Sequence, residues 1–293
     1  MPRAKYDRSG RTLLAVVSDL HVGGSTSICP KKIPLEDGGE YVPAPIQNWM
    51  RDRWTDFWNL VSPYKTRGWN VVVVVAGEAI ENAHHRTPQL AAQSPETMVD
   101  AALNLLARPR NLAHEMLFVR GTEAHSGLGG HIDVQVAREL GGKIDTATGT
   151  RAAYQWVIDI GGVIVDIAHH VGGGIHPARL ELQKVVMDYD ARRQPAPDLI
   201  VRGHIHRPEI QWLNNRCSVV TPAWQGKTAY AHKITRNLSG SVGGLLCEIY
   251  DRQMFPRLIQ YPYEVALPVV LQSRALLLNN RVQPPKTPTQ KSR

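Results

Sequence analysis

Short runs of β-branched residues, separated by stretches with helical periodicity, constrain the fold of this chain more than any other feature of its sequence. The clearest run is Asn70–Ala76, which contains five consecutive valines. Runs of this kind predict strands, and the stretches between them carry apolar residues at helical spacing. The alternation therefore predicts a layered α/β or α+β fold rather than a helix bundle or an all-β sandwich.

The predicted strands and helices alternate through most of the chain, and the last three strands follow one another with little helix between them. Gly23–Pro45 is rich in Gly, Ser and Pro, so it is predicted to be a long loop directly after the first strand. Loops of this length are usually functional or disordered. The predicted strands are Thr12–Val17, Asn70–Ala76, Met116–Arg120, Tyr154–Asp159, Val163–Ala168, Leu199–Arg202, Cys217–Thr221, Gly244–Tyr250 and Arg257–Tyr261. The predicted helices are Ile46–Ser62, one that begins near Ser94, His131–Leu140 and Ala178–Ala191.

The length and composition predict a single large domain. A chain of 293 residues with 43% hydrophobic content can bury a substantial core. We assign this domain to residues 11–265, between a basic N-terminal extension at residues 1–10 and a C-terminal extension at residues 266–293. The sequence from Gln283 onward is rich in Pro and polar residues, which predicts disorder.

Charge and cysteine content indicate the kind of partner and compartment. The net charge of +8 favours phosphate-bearing partners, although part of it lies at the two ends of the chain and so it does not locate a binding face. The three cysteines, Cys29, Cys217 and Cys247, are odd in number and widely spaced, which indicates a reducing compartment rather than a disulfide framework. The longest apolar run is far too short to span a bilayer. These features predict a soluble, cytoplasmic protein with no membrane partner.

Acidic and histidine residues follow five of the predicted strands, close to the point where each strand ends. Side chains two residues apart in an extended segment can point to the same side, so a carboxylate and an imidazole at this spacing can share one metal ion. The carboxyl ends of strands are where sites assemble in layered α/β folds, and glycines at 77, 121 and 203 allow sharp turns there. In chain order, these residues are Asp19 and His21, Glu78 and Glu81, Glu123 and His125, His169 and His170, and His204 and His206.

Mixed imidazole and carboxylate groups suit manganese, iron, nickel or zinc better than calcium. A single histidine after a strand is usually a surface or hydrogen-bonded residue, but so many in register with strand ends favour metal binding. Glu81 is more often a loop-stabilising residue than a ligand. For His84, His85 and Arg86, contact with a substrate phosphate and a solvated loop are both open interpretations. Trp224 can stack on a base or belong to the core.

Five short motifs occur in the same order as in the calcineurin-like metallophosphoesterase family, which the chain resembles from about residue 12 to residue 261. They are Asp-x-His, Gly-acid-x-x-acid, Gly-x-x-x-His, a His at a strand end, and Gly-His-x-His. The variant third motif, Gly-Thr-Glu-Ala-His, and Thr-Pro-Ala-Trp-Gln at residues 221–225 resemble members found in bacteriophages and prophages. The resemblance implies a four-layer αββα sandwich that binds two divalent metal ions, bridged by a carboxylate and a hydroxide.

The resemblance also implies which residues bind the ions. Three residues would bind the first ion, one carboxylate would bridge both ions, and two histidines would bind the second ion. These residues are, in that order, Asp19, His21 and His206; Glu78; and His204 with either His169 or His170.

The chain departs from the family pattern in two places. The family has Asp at the position of Glu78, so the bridging carboxylate here stands one methylene further from the backbone. The family has Gly-Asn-His where this chain has Gly121, Thr122 and Glu123, so the Asn ligand is missing and the catalytic histidine is displaced to His125. Glu123, in place of the lost ligand, and His125, as the acid, are the predicted catalytic residues. The extra methylene predicts slow turnover of generic phosphodiesters, because a small misplacement of reacting groups is costly.

The implied activity is hydrolysis of a phosphomonoester or phosphodiester, in which a hydroxide that bridges the two ions attacks phosphorus in line. Two alternatives stay open. The first is a nuclease or cyclic phosphodiesterase that acts on nucleic acid, which the basic charge allows. The second is a non-catalytic, metal-binding scaffold with a degenerate site.

Overall fold

A computed structural model describes residues 4–6, 10–83, 89–92, 94–172, 176–229, 231 and 239–264. Two mixed sheets pack face to face, and helices cover the outer face of each sheet. This four-layer αββα sandwich is the fold class that the sequence predicted. Among the described residues, no helix combines the length and the apolar character needed to cross a membrane.

The first sheet has five strands, three of which are parallel neighbours that lead into the first three motifs. Two long antiparallel strands extend it on one side. Successive residues of a strand face opposite sides. Leu13, Ala15 and Val17 pack against helices, whereas Leu14 and Val16 pack against the other sheet. Numbered in chain order and given in spatial order, the strands are β13 (Gln253–Glu264), β12 (Ser239–Tyr250), β2 (Arg11–Val17), β5 (Asn70–Ala76) and β6 (Glu115–Val119).

The second sheet has six strands and carries the last two motifs. Val165 and Val201 face the first sheet, whereas Ile200 on the outer face packs against Leu182 and Val185 of a helix. In spatial order, its strands are β1 (Ala4–Tyr6), β7 (Gln155–Ile160), β8 (Val163–Ala168), β9 (Leu199–Arg202), β11 (Arg216–Val220) and β10 (Glu209–Leu213). A separate hairpin is formed by β3 (Ile33–Pro34) and β4 (Glu40–Tyr41).

The four predicted helices form where the sequence pattern placed them, whereas the single-turn helix Glu123–Ser126 was not predicted. Ser94 is the N-cap of the second helix, because its side chain accepts a hydrogen bond from the Thr97 N–H at 3.4 Å, and Pro95 follows at the first helical position. Three long helices cover the five-stranded sheet and one covers the six-stranded sheet. The helices are α1 (Pro45–Thr66), α2 (Pro95–Leu112), the single turn α3 (Glu123–Ser126), α4 (His131–Glu139) and α5 (Pro177–Ala191).

Four strands were not predicted from the sequence: β3 and β4, which form a hairpin within the predicted loop Gly23–Pro45, and the edge strands β1 and β10. β1 pairs in parallel with β7, Ala4 opposite Ile158, so the six-stranded sheet includes residues that the sequence analysis assigned to a basic extension. β10 is the other edge strand of the same sheet, and it pairs only with β11. Three residues are too few to show alternation, and an edge strand with both faces partly exposed shows little of it. The predicted C-terminal extension and residues 84–86 lie outside the described residues.

The loop Gly23–Pro45 packs on the core rather than standing apart from it. Ile28 and Cys29 are fully buried, and the Ile28 N–H donates to the Trp224 carbonyl at 2.8 Å. The Gln47 amide of α1 donates to the Ser27 carbonyl at 2.9 Å. Trp224 is itself 0% exposed and lies edge-on to aromatic residues of α1, so it belongs to the core and cannot stack on a base.

Candidate metal centre

The ends of β2, β5 and β6 in one sheet meet the ends of β8 and β9 in the other. Backbone hydrogen bonds continue past the strands, from Asp19 N to Gly77 O at 3.1 Å and from Gly203 N to His169 O at 3.0 Å. Among the described residues, this convergence forms three groups in which all of the potential ligand atoms lie within 4.8 Å of one another. The groups are Asp19, His21, Glu78 and His206; His21, Glu81 and His125; and Glu78, His169 and His204.

Glu78 belongs to two of these groups, and each of its oxygens faces a different one. Its Oε2 atom lies 3.0 Å from His21 Nε2, and its Oε1 atom lies 3.2 Å from His169 Nε2. Asp19 lies between the same groups, with Oδ1 at 3.3 Å from His206 Nε2 and 4.0 Å from His169 Nε2. Glu78 thus has the orientation of a carboxylate that bridges two ions.

The ring of His169 tests whether these residues fit a metal ion. Its Nδ1 atom lies 2.7 Å from the Ala76 carbonyl, which can only accept, so Nδ1 carries the proton and donates. In the neutral ring, Nε2 then presents a lone pair to Glu78 and Asp19. This Nε2 atom is buried and has no hydrogen-bond partner among the residues that the structure describes. A lone pair that faces carboxylates needs a cation between them, so the centre fits a divalent ion.

Protons take the place of such a cation in the metal-free centre. Burial lowers the pKa of His169, but the Asp19 and Glu78 carboxylates outweigh burial and raise the pKa to about 9. Burial also lowers the pKa of His21, and Glu81 with Glu78 raises it well above its usual value. Burial raises the pKa of Glu78, and the two histidines bring it well below its usual range. Histidine protons and metal ions therefore compete for the same atoms.

Five candidate ligands have a left-handed backbone, which L-residues rarely adopt. This conformation turns the chain sharply at the end of a strand and directs the side chain into the centre. Such strain persists only where the surroundings impose it, and it is concentrated at functional sites. The five are Asp19 (φ 53°), His21 (φ 47°), Glu78 (φ 56°), His204 (φ 75°) and His206 (φ 53°).

Glu81 is 3% exposed and contacts two histidines, although the sequence analysis favoured a loop-stabilising role for it. Its Oε2 lies 2.8 Å from His21 Nδ1, and its Oε1 lies 2.7 Å from His125 Nδ1. Gln225, in the Thr-Pro-Ala-Trp-Gln segment, donates to Oε2 at 2.9 Å. A carboxylate behind a metal-binding histidine fixes the tautomer of its ring. The spacing Gly-acid-x-x-acid was the signal for Glu81, whereas the Thr-Pro-Ala-Trp-Gln segment was noted for its resemblance without any role for Gln225.

The structure does not bring Glu123 to the centre, which corrects the ligand role predicted for it. α3 begins at Glu123, and its exposed side chain accepts a hydrogen bond from Gly129 N at 3.1 Å. The preceding residue, Thr122, contacts Glu78 instead. The predicted acid, His125, lies in the same turn with its side chain 22% exposed.

The remaining candidates separate into a ligand and its neighbours. His169 lies in the group with Glu78 and His204, whereas His170 is exposed and packs its ring 4.7 Å from that of His204.

Arg202 binds Asp166 and Glu181, and the Arg120 guanidinium binds backbone carbonyls, Thr150 and Tyr154. Both arginines that precede motif glycines are therefore engaged within the fold.

No protein-family model and no curated protein matches the chain. A Vps29 mutant from Entamoeba histolytica is 14% identical with a TM-score of 0.39, over 85% of this chain and 99% of that one. Vps29 from Cryptosporidium parvum is 14% identical with a TM-score of 0.42, over 87% and 98%. A structure described as a novel archaeal phosphodiesterase is 8% identical with a TM-score of 0.40, over 84% and 99%. Likeness at this level does not bear on the chemistry of this chain, and the resemblance to phage members stays a prediction.

Proposed function

We propose that this protein is a metal-dependent phosphoesterase whose centre binds two divalent ions. The observation that carries the proposal is Glu78, whose two oxygens face two separate groups of ligand atoms at 3.0 and 3.2 Å. Paired ions of this kind are characteristic of phosphatases and nucleases. Asp19, His21 and His206 would bind one ion, and His169 and His204 would bind the other, with Glu78 between them.

The chemistry of the donor atoms indicates which metals the centre would bind. All of the ligand atoms in the three groups are imidazole nitrogens or carboxylate oxygens, which suits manganese, iron, nickel or zinc. When bound, such ions lower the pKa of water and neutralise the charge of the phosphate. Glu81 would support His21 in this role, since its Oε2 lies at an ion-pair distance of 2.8 Å from Nδ1 while Nε2 faces Glu78 at 3.0 Å.

We further propose that His125 protonates the leaving group. Glu81 accepts from Nδ1 of His125, and in the imidazolium form of the ring Nε2 carries a second proton that it can give to the leaving oxygen. Hydrolysis breaks the bond between phosphorus and the leaving oxygen, water supplies the oxygen that ends on phosphorus, and His125 delivers the proton that the leaving oxygen needs. His125→Ala should therefore slow esters of poor leaving groups more than nitrophenyl esters, and equal losses would argue against the acid role.

The direct test compares metal content and turnover of the natural protein, Glu78→Asp and Glu78→Gln after loading with Mn²⁺ or Zn²⁺. We expect two ions per natural chain, a strong change in rate for Glu78→Asp and no turnover for Glu78→Gln. If the Glu78→Gln protein binds both ions and turns over at the full rate, Glu78 is not the bridging ligand. A natural protein with less than one ion per chain and no turnover would favour a non-catalytic scaffold.

Nucleic acid is the alternative substrate, and the net charge of +8 favours it. Binding through many phosphate contacts weakens steeply as salt rises. Titration of single- and double-stranded oligonucleotides at about 50 and 200 mM salt separates this alternative from a small phosphoester, because absent or salt-independent binding would exclude it.

A further inference from the structure

We infer that Thr122 and Asp133 are positioning residues that hold Glu78 in its bridging orientation, an inference that rests on the proposed function. Asp133 belongs to none of the three groups of potential ligands, and the Thr122 hydroxyl donates to Glu78. Their contacts nevertheless converge on Glu78 and on the residues that flank it.

Thr122 engages one oxygen of Glu78 with two donors. The hydroxyl donates to Oε1 at 2.5 Å, and the backbone N–H lies 3.3 Å from the same oxygen. A hydroxyl this close to a carboxylate makes a charge-assisted hydrogen bond, which is stronger than a neutral one. The oxygen that Thr122 holds is the one that faces His169, so Thr122 acts on one half of the centre.

Gly121 lets the loop after β6 approach both the backbone and the side chain of Glu78 closely. A Cβ atom on Gly121 would lie 2.5 Å from Glu78 Cγ and 2.6 Å from Glu78 N. The Cγ atom belongs to the methylene that distinguishes Glu from Asp. Glycine at position 121 therefore avoids a clash with the backbone of residue 78 as well as with this methylene, and Thr122 holds the carboxylate that the methylene carries.

Asp133, from the buried face of α4, fixes the distance between the two loops that carry this contact. One of its oxygens accepts from Ala79 N at 3.1 Å, and the other accepts from Gly121 N at 2.7 Å. Ala79 follows Glu78, and Gly121 precedes Thr122. A single carboxylate that is 2% exposed thus clamps the loop after β5 to the loop after β6.

These contacts indicate a centre that is adapted to glutamate rather than degenerate. Without the hydroxyl, Oε1 loses its strongest donor and the Glu78 side chain gains rotational freedom. Residues behind metal ligands typically contribute 10- to 100-fold to metal affinity. The affinity should fall for the ion that His169 and His204 would bind, because Oε1 of Glu78 faces that side of the centre.

The test is calorimetric titration of the metal-free full chain with Mn²⁺. The natural protein should bind two ions, and Thr122→Val should bind one of them about tenfold or more weakly. Thr122→Ser, which keeps the hydroxyl, should restore the affinity to within about threefold of the natural value. Thr97→Val is the matched control, because the Thr97 hydroxyl donates to Glu36 at 2.9 Å on the surface, and it should leave both affinities unchanged.

A double-mutant cycle tests whether Thr122 acts through Glu78. In the Glu78→Asp background, Thr122→Val should change the affinity for the metal ion by less than about twofold, because the shorter carboxylate does not reach the Thr122 hydroxyl. Equal effects in both backgrounds would overturn a role through Glu78. Asp133→Asn replaces one acceptor with a donor that faces a backbone N–H. It should weaken the binding of the same ion that Thr122→Val affects. A thermal unfolding curve for each variant identifies any that fail to fold.

The outcomes separate this inference from the proposed function. If the natural protein binds two ions and Thr122→Val binds both with unchanged affinity, the positioning role is wrong and the phosphoesterase proposal stands. If the natural protein binds fewer than one ion per chain, both the positioning role and the phosphoesterase proposal are wrong. If Asp133→Asn folds and binds both ions as the natural protein does, Asp133 is removed from the inference.

Discussion

Glu78 and four other candidate ligands have positive φ angles, from 47° for His21 to 75° for His204. A side chain in this conformation brings Cβ close to the backbone, at a cost of about 1–2 kcal/mol per residue. The fold as a whole offsets this cost, so the centre is a local weak point in the stability of the metal-free protein. The strain and the ligand geometry have the same origin, since the left-handed turn directs each side chain inward.

Substitution by glycine or alanine measures this strain at Glu78. Both substitutions remove the carboxylate, but only alanine keeps Cβ in the left-handed backbone, so Glu78→Gly should be more stable than Glu78→Ala by about 1 kcal/mol. At Asp100, an exposed interior position of α2, the order should reverse, because glycine disfavours a helix relative to alanine. Urea unfolding of the four metal-free proteins checks both signs, and the same order at the two sites would contradict the left-handed backbone of Glu78.

The raised pKa of His169 predicts how the metal-free protein responds to pH. A histidine whose pKa rises from 6.5 in the unfolded chain to about 9 in the folded one stabilises the fold fully below pH 6.5, and this stabilisation is lost as pH rises through 9. The free energy of unfolding should therefore fall by up to about 3 kcal/mol over this window when a chelator is present. Urea unfolding at both ends of the window checks this. His169→Gln, which cannot titrate, should show a smaller fall, and an equal fall would assign the effect to other groups.

At the scale of secondary-structure elements, buried charges join α5 to the six-stranded sheet. Arg202 at the end of β9 binds Asp166 of β8 at 3.0 Å and Glu181 of α5 at 2.8 Å, and all three side chains are buried. Breaking a buried ion pair leaves an uncompensated charge. The arginine that precedes the Gly-His-x-His motif therefore anchors the strand that carries His204 and His206.

Arg202→Met should lower the free energy of unfolding by about 3–5 kcal/mol, because two buried carboxylates lose their cation. Arg192→Met is the control, since Arg192 pairs with Asp188 at 2.8 Å while the two side chains are 64% and 53% exposed. Exposed pairs contribute less than about 1 kcal/mol. Denaturant unfolding of the two variants checks the difference, and a small loss for Arg202→Met would mean that water enters the network.

The sequence predicted those strands and helices whose buried faces appear as a regular pattern of apolar residues. The elements that were missed lack such a pattern for physical reasons. Asn70–Ala76 was predicted to the residue, because both faces of β5 are buried and every position is apolar after the first. β1 was not predicted, because its three residues gain their order from pairing with β7. For the site, strand-end spacing indicated Asp19 and His21, but the contact between Thr122 and Glu78 joins two loops that no local pattern relates.

Helical spacing marks Asp133 as a residue of the buried face of α4. It lies within the predicted helix His131–Leu140, three and four positions before Val136 and Ala137, both of which are buried. An acidic residue on the apolar face of a helix is costly to bury unless it has partners. Its presence there indicated a buried hydrogen-bonding role, whereas the identity of the two backbone donors depends on the fold.

At the scale of the whole molecule, the centre lies between the two sheets and takes ligands from both. Asp19, His21 and Glu78 follow strands of one sheet, and His169 and His204 follow strands of the other. Bound ions would therefore connect the layers of the sandwich. A ligand that binds only the folded state stabilises it by about 2.7 kcal/mol at a free concentration 100 times its dissociation constant.

Chelation should therefore lower the melting temperature of the whole domain in one cooperative step, with full recovery when Mn²⁺ is restored. Thermal unfolding followed by circular dichroism, with and without chelator, measures this. Hydrogen exchange should speed up in both β5 and β8 when the metal is removed. Faster exchange confined to one sheet would contradict a connection between the layers.

The order of strands in the five-stranded sheet has a consequence for how the chain folds. β12 pairs with β2, so that Leu245 lies opposite Val16 and the sheet joins segments that are far apart in the sequence. Contacts between residues so distant along the chain close large loops, and domains rich in them fold slowly. Until residues 239–250 have been synthesised, the apolar strand β2 keeps one edge unpaired. Such an edge pairs readily with other chains. The exposed edge of β2 is therefore a place where the nascent chain can pair with other chains until β12 has been translated.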